Sequence, residues 1–442
     1  TTVNEKTDTD VVVEPTTPRR KELLTRLEEC IGDIATHVYY ADQITDMITA
    51  ILTRLKPSRP SNTGTPQPEK NESTEVVAST LDPSESQINL DAYFSHNQGR
   101  VSALKVIKGI LLVANPKRKM SGNMDLSRNR VPAHVWEGTY WLLRDTDGQV
   151  RKAYVDALTT WLDRETTPAD SKARSETMVQ SRSALHQGRD FSHATTRRAV
   201  SNASARERPL RGGRRSHFLP LLHIAIYDNA LQYFDYESDL AMLHVLLTKL
   251  VFCLGVNSVR YGIPMIYRLQ EDIQDIDLPV HKVRIAALCH GYFWALTEKF
   301  DLDGSVAGRA ITNEVIRRRE KGFWVDGINV PCPEIQDIGM PGQVGPAPSW
   351  DPASLEKEAL LPFDDRTALV ECISHAYTES ARSPSTSPAV SPNRKMTQPI
   401  LGSTMTNLAL DDQVDLPSSF REQMLTEWSR EAAAAALAAG VP

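Results

Sequence analysis

Apolar residues recur every three to four positions along much of the chain, and that spacing predicts α-helices. Leu24, Leu27, Ile31, Ile34 and Val38 share one face. After a short break, Ile44, Met47, Ile48, Ile51, Leu52 and Leu55 share another, and the two are expected to pair as an antiparallel hairpin. Val101, Leu104, Ile107 and Leu111 mark a further helix that Asn115-Pro116 closes. Pro132 opens a predicted helix through Trp136 to Leu143. A second runs from Gln149 to Leu162 with Val150, Tyr154, Leu158, Trp161 and Leu162 on one side. The most apolar region predicts helices at Phe218–Phe234, Ser238–Leu254, Val259–Ile273, His281–Lys299 and Ser305–Lys321. One more is expected at Asp365–Arg382 and a last near 418–438. Strand-like alternation persists nowhere, so the chain reads as all-α. Successive antiparallel pairs favour a helical-hairpin solenoid over a closed bundle.

Polar stretches divide these helices. Residues 1–18 read as a disordered leader and 19–56 as the first hairpin. Residues 57–89 lack the apolar content to offset the entropy of ordering and read as a disordered loop. Residues 90–163 hold the next helices, and 164–215 form a basic disordered loop. Residues 216–324 are the core of the rod, and 325–442 a mostly disordered acidic tail with helices near 365–382 and 418–438.

Composition refines this picture. The chain has 442 residues, 27 prolines, 40% hydrophobic and 24% charged residues, and a formal net charge of −6. That is a folded protein diluted by polar segments, not a collagen, a coiled coil or a disulfide scaffold. At roughly 150 residues per domain, length suggests about three domains, but the helix pattern favours one continuous rod. Arg164–Arg215 carries twelve basic and five acidic residues, and the chain from Asp326 onward seven basic and sixteen acidic. Such asymmetry points to interaction segments. The cysteines Cys30, Cys253, Cys289, Cys332 and Cys372 are scattered and odd in number, which fits free thiols in a reducing compartment. No run reaches the roughly 18 apolar residues that span a bilayer, and no signal peptide is recognised. A start at Thr1 is expected of a processed chain or a piece of a longer one.

The most informative motif lies at the Asp145-Thr146-Asp147-Gly148 turn. Asp145, Val150 and Arg151 form the D-x4-V-R pattern of a HEAT-type turn. There an acidic side chain serves the free N–H groups of the second helix, an apolar residue enters the core, and an arginine reaches the neighbouring repeat. An ordinary helical hairpin with a DG turn is the plainer alternative. In the tail, Ser419-Phe420-Arg421-Glu422 reads as a capping box, with Phe420, Met424 and Trp428 on one helix face. Such a helix either folds back on the rod or docks in a partner's groove. Ser383, Ser387 and Ser391 each precede proline and are candidate phosphosites. Lys117, Arg118, Lys119, Arg128 and Arg130 make a basic loop suited to an anionic membrane, a solvated loop being the alternative. A single RGG-like unit, Arg211–Arg215, is too little to expect nucleic-acid binding. Phosphate loops are absent, Asp301–Thr312 fails as a calcium loop, and Cys289 and His290 point apart on one helix. His223 and His244 are expected as packed residues. No catalytic, metal or cofactor site is predicted.

Several of these stretches resemble one family. VPAHVWEGTYWLLRDTDGQVRKAYVDALTTWLDRE (131–165), LLHIAIYDNA, HVLLTKLVFCLGVNSVRYGIPMIYRLQEDI, HGYFWALTEKF, SPSTSPAVSP and SFREQMLTEWSRE are similar to the fungal Efr-three (rolling-blackout-like) proteins. The resemblance covers most of 90–431. It implies a non-enzymatic rod of HEAT/armadillo-type repeats, peripheral to the cytoplasmic face of the plasma membrane, with a tail that recruits a tetratricopeptide-type adaptor and, through it, a phosphatidylinositol 4-kinase. Anionic inner-leaflet lipids are possible contacts. The resemblance implies that this chain corresponds to the C-terminal part of such a rod and its tail. A peripheral membrane or nucleic-acid binder acting through the basic loops is the alternative function.

Overall fold

The computed structural model describes residues 18–34, 43–55, 94, 96–114, 130–173, 216–345, 350, 352–357, 359–382 and 415–439. Among them it contains thirteen α-helices, short 3-10 turns and no strand, so the chain is all-α. It divides into two compact units, residues 1–131 and 132–442.

The first unit holds α1 (Pro18–Ile34), α2 (Ile44–Arg54) and α3 (Asn97–Ala114). Helix α3 is its centre: Leu104, Ile107, Ile110 and Leu111 are wholly buried. The expected α1–α2 hairpin is replaced by packing of both helices on α3. Helix α2 buries Ile44, Ile48 and Leu52 at four-residue spacing. The inward face of α1 runs through Leu24, Ile31 and Gly32, while Leu27 and Ile34 of the expected stripe are exposed. The physical reason is that α3, apolar through most of its circumference, offers more surface than either amphipathic partner.

The second unit begins with a departure from the sequence pattern. The helix expected through Trp136–Leu143 is two 3-10 turns, Ala133–Trp136 and Tyr140–Arg144. Gly138 between them has a φ of 80°, a left-handed conformation that halts a helix. Thr139 caps the break by donating to Trp136 O at 2.7 Å. Trp136, Leu142 and Leu143 still reach the core. Then come α4 (Gly148–Glu165), α5 (Phe218–Gln232), α6 (Glu237–Leu254), α7 (Val256–Glu271), α8 (Pro279–Phe300) and α9 (Val306–Glu320). Gly255 alone joins α6 to α7, with a φ of 51°, and a Cβ there would lie 2.7 Å from Ser171 O.

These helices stack as hairpins in two rows. The 3-10 pair, α5 and α7 lie side by side, as do α4, α6 and α8. Ion pairs and hydrogen bonds show that neighbours in a row run parallel. Arg151 meets Asp239 at the starts of α4 and α6, and Lys249 meets Asp163 at their ends. Arg284 meets Glu237 near the starts of α8 and α6, and Lys299 Nζ donates to Phe252 O near their ends. Within the hairpin of α7 and α8 the helices are antiparallel: Cys289 lies at Ile266 O, and Tyr292 against Gly262. Side-by-side hairpins with parallel rows are the arrangement of a helical-repeat solenoid.

Residues 325–345, assigned from sequence to a mostly disordered tail, are packed. Val325, Ile328, Ile335 and Ile338 are buried, Lys152 Nζ donates to Ile338 O at 2.5 Å, and Gly342 N donates to Asp239 at 2.7 Å. Pro331, Pro333 and Pro341 together with Gly327, Gly339 and Gly342 break up any regular element here, which is why the pattern missed these four buried residues. A short helix, α10 (Pro352–Lys357), precedes a strap at 359–365. There the Gln270 amide grips the Phe363 peptide from both sides, donating to its carbonyl at 3.3 Å and accepting from its N–H at 3.1 Å. Helices α11 (Arg366–Arg382), α12 (Ser418–Leu425) and α13 (Arg430–Ala439) follow. The single last helix expected near 418–438 is thus two, parted at Thr426–Ser429.

Candidate interaction surface

The D-x4-V-R residues meet at the junction of the first two hairpins. Val150 is wholly buried. Arg151, also with no exposure, donates to Asp239 at 2.8 Å and to Asp145 O at 2.7 Å. Its guanidinium lies 3.8 Å from the centre of the Tyr233 ring. Burial raises the pKa of Asp239, against the opposing pull of Arg151 and the Gly342 N–H. The cap of α4 is not Asp145 but Asp147, whose carboxylate accepts from Gln149 N at 2.7 Å. Asp145 instead accepts from Asp147 N at 3.0 Å and shapes the turn. Two residues of turn separate the roles because the N-cap must stand immediately before the first helical residue.

The tail residues Phe420, Met424 and Trp428 come together on the other row. Helix α12 packs on α7 and α11, and α13 on α5. Phe420 is 1% exposed and Met424 wholly buried. Arg260 of α7 sits 4.4 Å from the Phe420 ring centre. The expected capping box of Ser419 and Glu422 does not form: α12 starts at Ser418, after Pro417, with no side-chain cap. At the other end Arg366 donates to Met424 O at 2.7 Å and Thr426 O at 2.6 Å, satisfying carbonyls that a helix end leaves open. The chain then turns. Trp428 packs edge-on against Tyr227 of α5, with ring centres 4.8 Å apart. Ser429 caps α13 through Ala432 N. Arg430 pairs with Asp228 at 2.5 Å, and Asp228 also holds Arg144 at 3.0 Å.

The charge environment here is chiefly structural. Asp228 raises the pKa of Arg430, and burial lowers that of Arg366, which lies over the Tyr267 ring. Tyr227 is pushed up to about 12 by burial and by Asp272, whose carboxylate accepts its hydroxyl at 2.5 Å. Sequence reading found the apolar anchors of the tail but missed Asp228, Arg260 and Arg366. No periodic signal marks them, because each meets a segment far along the chain.

Of the basic loop, Lys117, Arg118, Lys119 and Arg128 lie outside the described residues, and Arg130 is exposed. The phosphosite candidates Ser383, Ser387 and Ser391 also lie outside them. His223 and His244 are buried, each with a backbone carbonyl: Leu219 O at 2.8 Å and Asn329 O at 2.9 Å. Cys289 and His290 are buried too, and burial pushes the Cys289 thiol up. Among the described residues no group of His, Cys, Asp and Glu is placed to hold a metal ion, and no helix is long and apolar enough to cross a membrane.

No family model and no solved structure matches the chain. Curated relatives do. Protein EFR3 of Gibberella zeae is 58% identical over 95% of this chain and 38% of its own length. Protein efr-3 of Neurospora crassa is 54% identical over 96% of this chain and 37% of its own. Protein efr3 of Emericella nidulans is 38% identical over 94% and 35%. The chain therefore spans a little over a third of the length of these relatives. With identity this high along nearly its whole length, the chain belongs to the fungal Efr3 family.

Proposed function

We propose that the chain is part of a non-catalytic scaffold, peripheral to the cytoplasmic face of the plasma membrane, that recruits a phosphatidylinositol 4-kinase through a tetratricopeptide-type adaptor. The observation that carries this reading is the 58% identity to an Efr3 protein over 95% of the chain. The stacked hairpins support it, since parallel rows of helices present extended faces for partner proteins. The proposed adaptor-binding element is the tail, with Phe420, Met424 and Trp428 as its apolar anchors. The proposed lipid contact is the loop with Lys117, Arg118, Lys119, Arg128 and Arg130, each contributing about 1 kcal/mol near an anionic surface.

Capture of the adaptor by the full-length protein, with and without residues 383–442, tests the tail. Loss of capture on deletion is expected, and unchanged capture overturns the tail's role. Phosphate on Ser383, Ser387 and Ser391 would add negative charge to the tail. Equal adaptor affinity of the triple alanine variant and the phosphorylated protein would remove that regulation. Sedimentation with phosphatidylserine vesicles at two salt concentrations tests the lipid contact. Binding that weakens with salt and is lost when the five basic residues become Glu is expected, and no binding at low salt rejects it.

A further inference from the structure

Residues 415–439 are seated on α5, α7 and α11, and we propose that this face is a receptor groove for a short amphipathic helix, with the chain's own tail as a displaceable ligand. The seating has the layout of a helix laid into a groove. Leu416, Phe420, Met424 and Trp428 recur every four residues, and the first three are at most 2% exposed. The receptor side supplies Arg260 over the Phe420 ring, Arg366 on the carbonyls of Met424 and Thr426, and Tyr227 against Trp428. Beyond the anchors, Arg430 closes the contact on Asp228.

The remainder of the segment adds little burial. Ser418, Ser419, Arg421, Glu422 and Leu425 are exposed, and most of the alanines of α13 face solvent. A few anchors thus carry the attachment, as in protein interfaces generally. The charge clamp is also open: the side chains of Arg144 and Arg430 are 44% and 43% exposed, on a shared Asp228 that is 10% exposed. Salt and competing charge reach such a pair. Three buried anchors and an accessible clamp make a contact that detaches while the stacked hairpins stay closed. The groove therefore selects a short helix with two apolar residues four apart, an apolar residue in the extended chain on either side of it, and an arginine two residues past the last.

A labelled peptide of residues 415–439, titrated with the whole chain, tests this without any other protein, so its outcome is independent of the function proposed above. In the wild-type chain the attached tail competes at an effective concentration on the order of mM. The F420D/M424D chain, whose own tail cannot seat, is expected to bind the peptide at least tenfold more tightly than wild type. Equal binding by the two chains, or no binding by the folded variant, overturns the proposal. R430E, at an exposed side chain, decides the matter if the double variant does not fold. It is expected to raise peptide binding several-fold over wild type with the helical circular dichroism unchanged, and binding no tighter than wild type overturns the proposal.

Discussion

Arg151 shows how much structure one side chain can organise. It joins the turn carbonyls at 145–146, Asp239 of α6 and the Tyr233 ring, and through Asp239 it reaches Gly342. Removing one member of a buried pair leaves the other charge uncompensated and costs about 3–5 kcal/mol, whereas replacing both by apolar residues is often neutral. R151M should therefore destabilise the chain in urea far more than R151M/D239L does. Gly262 makes a second residue-scale case. A Cβ there would lie 2.1 Å from the Tyr292 hydroxyl, and that buried hydroxyl has no hydrogen-bond partner among the described residues. G262A should cost about 1–3 kcal/mol by overpacking. Y292F should be close to neutral and should recover much of the loss in the double variant, as thermal melts would show.

At the scale of elements, caps and breaks are where sequence and structure part. The helix bodies were legible because buried positions return every 3.6 residues: the expected Ser238–Leu254 and His281–Lys299 correspond to α6 and α8 within two residues at each end. The break at Gly138 was hidden, since 3-10 turns keep Trp136, Leu142 and Leu143 inward much as a helix would. The cap of α4 was placed two residues early. D147A should lower stability by about 1 kcal/mol through loss of that cap, with the midpoint of urea unfolding as the readout. In the tail, the spacing of Phe420 and Met424 revealed that a face is buried but not against what. Its partners Arg260 and Arg366 come from elements that no local pattern connects to it.

For the molecule as a whole, buried histidines set the response to acid. His223 and His244 are held at about 4, against an ordinary 6.5, because burial disfavours their charged form. His290 is lowered well below the ordinary value for the same reason, with Arg318 adding to it. A depressed pKa means that the unfolded chain binds protons first as the pH drops. The stability is therefore full above about pH 6.5 and is lost as the pH falls toward 4, by about 3 kcal/mol for each of His223 and His244. Urea midpoints measured from pH 7 to pH 4 should fall steadily. A H244Q variant should show a shallower decline.

The packed segment after Trp324 bears on how the second unit comes apart. A row of repeats held only by adjacent contacts melts piecemeal, each repeat fraying from an end. Here Ile338 and Gly342 are tied to the first two hairpins, Phe363 to the third, and α13 to α5. One length of chain thus laces three successive hairpins together, so that the first and third are joined through it as well as through the second. Apart from the detachable tail, unfolding of the hairpins and the segment that laces them should consequently be all-or-none, with calorimetric and van't Hoff enthalpies in agreement. Cutting the chain near residue 325 should turn that single transition into a graded one.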